Sequence, residues 1–254
     1  MEMPGRIEPD GFEGFVPIMT MEQHDELLLT VPYVIQYHNC SVAVVLAEHP
    51  SGGLLHSPLT IENHSESLTP ASVAGGGTDT DHRYRFAVAP RIPDEQAMSL
   101  PMTFHVDLEA PGTFARPIRE GIFRPDRFKH YVFVRAVEQR GELLASVPYV
   151  CQYNNCTVVV FRVEHPSGGL LHAECDLRIE DHEARVLGGA LGGVQEHGFR
   201  FAVVPPIPDD QVAGLPMTFQ INPGTAPSFP GYQPAATIPM APATIRFPSG
   251  HLGG

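Results

Sequence analysis

Two stretches of the chain occur twice, nearly unchanged. Residues 31–56 read VPYVIQYHNCSVAVVLAEHPSGGLLH and residues 147–172 read VPYVCQYNNCTVVVFRVEHPSGGLLH, with 19 identities in 26 positions at an offset of 116. Residues 82–104, HRYRFAVAPRIPDEQAMSLPMTF, return at 197–219 as HGFRFAVVPPIPDDQVAGLPMTF, with 15 identities in 23 positions at an offset of 115. Two blocks repeated in the same order imply an internal duplication. The 254 residues therefore have to close two similar cores of about a hundred residues each, not one large core. Between the blocks the length varies and glycines cluster (Gly75 to Gly77; Gly188, Gly189, Gly192, Gly193), as in a surface loop.

Within each copy the pattern is one of short strands. The 24 Gly and 26 Pro are spread through the chain, punctuating strands and working against long helices. Tyr37-His38-Asn39-Cys40 and Tyr153-Asn154-Asn155-Cys156 separate β-prone runs. Asn tolerates positive φ, so a two-residue hairpin turn is expected, with Tyr153 opposite Cys156 and Cys151 opposite Val158. Pro50-Ser51-Gly52-Gly53 reads as a four-residue turn between strands at 41–49 and 54–62, which would pair Val44 with Leu59 and Val42 with Ile61. Tyr84 to Val88 and Pro101 to Leu108 add two strands around a short turn at Pro93-Asp94. About six antiparallel strands per copy predict an all-β chain of two tandem, pseudo-symmetric β-sandwich domains, jelly-roll or immunoglobulin-like. The expected parts are an N-terminal extension (1–14), copy 1 (15–110), a basic linker (111–129), copy 2 (130–223) and a Pro/Ala/Gly-rich C-terminal arm (224–254).

The strand after the first hairpin is apolar on both sides. Val42 and Val44 lie on one face; Ala43, Val45 and Ala47, and in copy 2 Val159, Phe161 and Val163, lie on the other. A sheet wet on one side alternates apolar with polar residues. Something must cover the second face, whether the other sheet, the sister domain or another subunit, which makes Val45 and Phe161 candidate interface residues. The stretch 116–140 carries a net charge of +4 in a chain of net −13. Its Arg116, Arg119, Arg124 and Arg127 read as a clamp on carboxylates within or between subunits, because the guanidinium fork holds a carboxylate by two bonds; the plainer reading is a solvated linker. The arm carries Phe229, Tyr232 and Phe247 at intervals, and is expected to pack on a neighbouring subunit.

A charge of −13 excludes non-specific nucleic-acid binding, which needs basic surface, and disfavours an anionic membrane. No apolar run approaches the ~20 residues of a membrane span. The N-terminal residues have neither a basic start nor an apolar core, so no signal peptide is expected. Of Cys40, Cys151, Cys156 and Cys175, only Cys40 and Cys156 are equivalent, so the copies share no disulfide framework. Reduced thiols and a cytoplasmic address follow. Fifteen Arg against one Lys suggest a GC-rich bacterial genome.

Four histidine pairs recur: His49/His165, His56/His172, His64/His182 and His82/His197. In the register above, His49 and His56 are diagonal neighbours about 7–8 Å apart, and so are His165 and His172. Each pair could share a divalent metal such as Zn, Fe or Mn, or a substrate; equally, it could hydrogen-bond backbone around the turn. Pro50 to His56 is one residue too long for the second cupin motif, and the first, His-x-His followed by Glu, occurs in neither copy. No phosphate loop and no Gly-x-Ser-x-Gly elbow is present. The expected function is that of a non-enzymatic structural or interaction protein without a cofactor, a homo-oligomer that self-associates through apolar sheet faces and the arm. The alternatives are a metal-assisted hydrolase or cyclase at the Glu-His-Pro-Ser-Gly-Gly hairpins, and a small-ligand carrier with a cavity between sheets.

Overall fold

A computed structural model of the protein describes residues 7–50, 59–68, 81–99, 101–104, 123–166, 170, 173–187, 196–222 and 243–247. Two compact units divide the chain, Met1–Phe114 and Ala115–Gly254. Unit 1 contains β1 (Phe12–His24), β2 (Leu27–Tyr37), β3 (Ser41–Glu48), β4 (Leu59–Ile61), β5 (Ser65–Leu68), β6 (Asp81–Ala89), α1 (Asp94–Ala97) and β7 (Met102–Phe104). Unit 2 contains β8 (Phe128–Arg140), β9 (Leu143–Tyr153), β10 (Thr157–Glu164), β11 (Glu174–Ile179), β12 (Glu183–Val186), β13 (Glu196–Val204), α2 (Asp209–Val212), β14 (Met217–Asn222) and β15 (Ala243–Phe247). The protein is all-β: antiparallel sheets, with two single-turn helices among the described residues. Among the described residues no helix is long and apolar enough to cross a membrane.

Unit 1 has a five-stranded sheet in the order β1-β2-β3-β6-β5 and a two-stranded sheet, β4-β7. Unit 2 has a five-stranded sheet in the corresponding order, β8-β9-β10-β13-β12, and a three-stranded sheet, β11-β14-β15. The two-residue hairpin is present in both. The Tyr37 N–H donates to the Cys40 carbonyl at 3.0 Å and the Tyr153 N–H to that of Cys156 at 2.9 Å, and Cys151 stands opposite Val158. Its asparagines, however, are not left-handed. The left-handed residues come in pairs elsewhere: Gly11 with Arg127, Met19 with Arg135, Asp25 with Gly141, and Asn63 with Asp181. Asn39 instead holds the start of β1, accepting from the Asp10 N–H and donating to the Glu8 carbonyl. Asn155 does the same for Asp126 and Arg124.

The expected β3–β4 hairpin is overturned. Both edges of β3 are taken, by β2 and β6: Ala47 stands opposite Leu29 and His82, and Val44 opposite Arg85. Strand β4 therefore joins the other sheet, where Leu59 faces Phe104 and Ile61 faces Met102. A Pro-Ser-Gly-Gly turn marks a reversal without stating which sheet the returning strand enters. The short turn at Pro93 is also corrected, to the one-turn helix α1, which has Pro93 at its N-cap and Asp94 and Glu95 in its first turn. Carboxylates there suit the exposed N–H groups.

Each unit closes one buried cluster between its two sheets. In unit 1, Ala43, Val45 and Ala47 of β3 meet Leu59, Ile61, Tyr84 and Phe86. In unit 2, Val159, Phe161 and Val163 of β10 meet Leu177, Phe199, Phe201, Phe219 and Ile245. Phe161 stacks on Phe219 with centroids 3.8 Å apart. A polar clamp ties the hairpin to the helix loop. In unit 2, the Gln152 amide donates to the Ile207 carbonyl, the Thr157 hydroxyl donates to Gln152, and the Ile207 N–H donates to Thr157. Gln36, Ser41 and Ile92 repeat it in unit 1. Buried polar groups are cheap only when paired in this way.

β15 belongs to this core although it lies 20 residues beyond β14. It pairs antiparallel with β14, Ile245 opposite Phe219, and Ile245 is 0% exposed. Ile245→Ala should cost about 2–5 kcal/mol, read as a lower urea midpoint at unchanged m; a loss below about 0.5 kcal/mol, the scale of a neutral surface change, would show that the strand contributes no core.

Candidate functional site

The histidine hairpins lose their geometry with the β3–β4 pairing. His49 is half-buried just past the end of β3, whose two edges are taken by β2 and β6. His165 is also half-buried, its Nδ1 shielded from solvent with no hydrogen-bond partner among the described residues. His56 and His172 lie outside the described residues. Other repeated histidines lock loops: Nδ1–H of His64 and of His182 donates to the carbonyl two residues back, at 2.8 Å in each case. His197 donates to the Leu170 carbonyl at 3.0 Å and packs on Phe199. Among the described residues no three His, Cys, Asp or Glu side chains gather as a metal site.

The candidate interface residues are scattered. Val45 and Phe161 lie in the cores of their own units. Arg124 and Arg127 are exposed in the segment leading to β8, where the Arg124 backbone meets Asn155 and Arg127 takes the left-handed place of Gly11. Arg116, Arg119, Phe229 and Tyr232 lie outside the described residues. Phe247 is in β15, its backbone opposite Met217.

The second faces of the central strands are buried as well. Val42, Val44 and Leu46 are at most 2% exposed, and Glu48, Arg83 and Arg85 accompany them. On the matching face of unit 2 lie Arg162, Glu164, Glu196 and Arg200, each engaged by a partner. One arginine has changed strand between the copies. Leu46 faces Arg83 in unit 1, whereas Arg162 faces Gly198 in unit 2, and a Cβ on Gly198 would collide with the Arg162 guanidinium. The four cysteines are free and buried. Burial raises the Cys40 and Cys175 thiols and pushes Cys156 up to about 11, the reverse of what a nucleophile needs.

The site that sequence reading missed is a cleft in unit 1. It has a volume of about 270 Å³ and opens between the β1–β2 end of the large sheet and β7. Ile18, Leu29, Val31, Val45, Met102 and Phe104 form its apolar wall, and Thr20, Glu22 and Ser99 contribute polar groups. The repeat superposes this cleft on a filled place in unit 2. Ala136, Ala145, Val147, Met217 and Phe219 stand where unit 1 has Thr20, Leu29, Val31, Met102 and Phe104, and all five are buried. In unit 1 the same positions are half-buried, or exposed in the case of Thr20. Bulk is exchanged both ways, Val45 for Phe161 and Ala97 for Val212 against Leu29 for Ala145, so the side chains roughly cancel. Among the described residues, the remaining difference is Ile245 on β15, which belongs to the unit 2 core. A sequence signal existed: Ile245 lies in the apolar-studded arm that follows copy 2.

No protein-family model matches the chain, and no curated protein matches it. Among solved structures it is similar to the crystal structure of the conserved domain protein from Bacillus anthracis, at 9% identity and a TM-score of 0.31, over 92% of this chain and 91% of that one. A likeness this slight bears on neither fold family nor function.

With Cys156 raised to about 11 and all four thiols buried, a disulfide reagent at pH 8 should label none of them in the folded protein within minutes and all four in 6 M guanidinium. Rapid labelling of Cys40 or Cys156 without denaturant would contradict the buried placement.

Proposed function

We propose that this chain is a non-enzymatic interaction protein of two duplicated antiparallel β-sandwich units, which self-associates by exchanging its C-terminal strand between copies. Support for the duplication comes from the matched strand orders, the paired left-handed residues and the two Gln clamps. Four free, buried thiols fit a bacterial cytoplasm.

The observation that carries self-association is β15. Its core residue Ile245 arrives on a segment joined to β14 by 20 residues, 223–242, which is long for a connection within a compact unit. Fully extended, 20 residues span roughly 66–72 Å, enough to reach a second molecule. The contacts of β15 would be the same on either copy, so exchange costs little and a two-fold arrangement closes it. Apolar sheet faces are the weaker route, since the faces of β3 and β10 are already buried within one chain. A small-ligand carrier is the second reading, favoured by the apolar cleft between the unit 1 sheets.

Light scattering and a native mass spectrum at micromolar concentration should give two or more chains; a monomeric mass rejects self-association. The strand's source is read by Thr218→Cys with Arg246→Cys, which face each other across β14 and β15 at a spacing that admits a disulfide. Oxidation is expected to give a covalent dimer on a denaturing gel. A cross-linked monomer alone would reject exchange.

A further inference from the structure

The unit 1 cleft has the form of a strand seat whose counterpart in unit 2 is filled. In unit 2 the edge of β14 receives β15 in antiparallel register, Ile245 opposite Phe219, and Ile245 belongs to the same buried cluster as Val134, Ala136 and Val147 of the large sheet. In unit 1, β7 corresponds to β14 and pairs with β4 along one edge. Among the described residues no strand pairs with its other edge, where the cleft lies. Met102 and Phe104 are half-buried there, whereas Met217 and Phe219 are at most 2% exposed.

We infer that this cleft binds an extended segment of a separate protein, added antiparallel to β7, with one aliphatic side chain inserted where Ile245 sits in unit 2. Three features favour that guest. The volume of about 270 Å³ falls just under the range of drug-sized ligand pockets and suits an inserted side chain with its flanking backbone. An edge of β7 that no described strand pairs with offers main-chain hydrogen bonds, which give strand addition its affinity, while the pocket gives its specificity. Glu22, at the cleft and exposed, has one carboxylate oxygen beside the His24 ring at 2.8 Å; its charge, in a chain of net −13, favours a basic residue beside the aliphatic one, the order found in Ile245-Arg246. The inference rests on the interaction-protein reading but not on strand exchange.

The test uses the full chain and a labelled peptide of residues 242–249 (Pro-Ala-Thr-Ile-Arg-Phe-Pro-Ser), followed by fluorescence polarisation. Saturable binding is expected, weakened at least tenfold when the peptide's Ile is replaced by Asp. Thr20→Trp or Ser99→Trp, two exposed cleft positions, should weaken it as much while leaving the unfolding midpoint unchanged. Two variants on different elements guard against one that misfolds. No saturable binding would overturn the inference, and so would binding that neither Trp variant affects, since that places the peptide on β14 in unit 2. A full-chain dimer dissolved by Thr20→Trp would assign the cleft to a second copy and overturn it as well. A cross-linked monomer in the cysteine experiment, alongside cleft-dependent peptide binding, would sink strand exchange and leave this inference standing.

Discussion

The central strands β3 and β10 have no free side. Each hydrogen-bonds a neighbour along both edges, and all eight residues of each are buried. A strand enclosed in this way cannot accept a further partner, so the next strand in sequence must join another layer. That one exclusion sends β4 to β7 and β11 to β14. It creates the space between sheets that the core fills.

The repeated blocks lie on large sheets of corresponding strand order in the two units, but the two units have settled their contents differently. Left-handed residues, hairpin asparagines and Gln clamps hold matching positions, because they answer backbone requirements that any copy of the frame must meet. Side chains were freer to move. The buried arginine sits on β6 as Arg83 in one unit and on β10 as Arg162 in the other, each beside a residue that makes room for it, Leu46 or Gly198. Exchanges of this kind keep volume and charge roughly constant while changing their address.

The two units also differ at the edge of the smaller sheet. An unpaired strand edge beside an apolar hollow is a liability that proteins cover or use. Unit 2 covers it with the chain's own last described strand. Unit 1 presents the corresponding hollow with half-buried Leu29, Val31 and Met102.

The chain's own residues determined the local features. A two-residue turn leaves one register for the first hairpin, so Cys151 opposite Val158 was legible, as were the repeat and the doubly apolar β3. These depend on neighbours in sequence, and sterics decide them over a few residues. The partner of β4, the seating of β15 and the cleft between β1 and β7 were decided only in the tertiary structure. Each joins segments tens of residues apart, and a turn signal such as Pro-Ser-Gly-Gly reverses the chain without encoding which sheet has an edge left to fill.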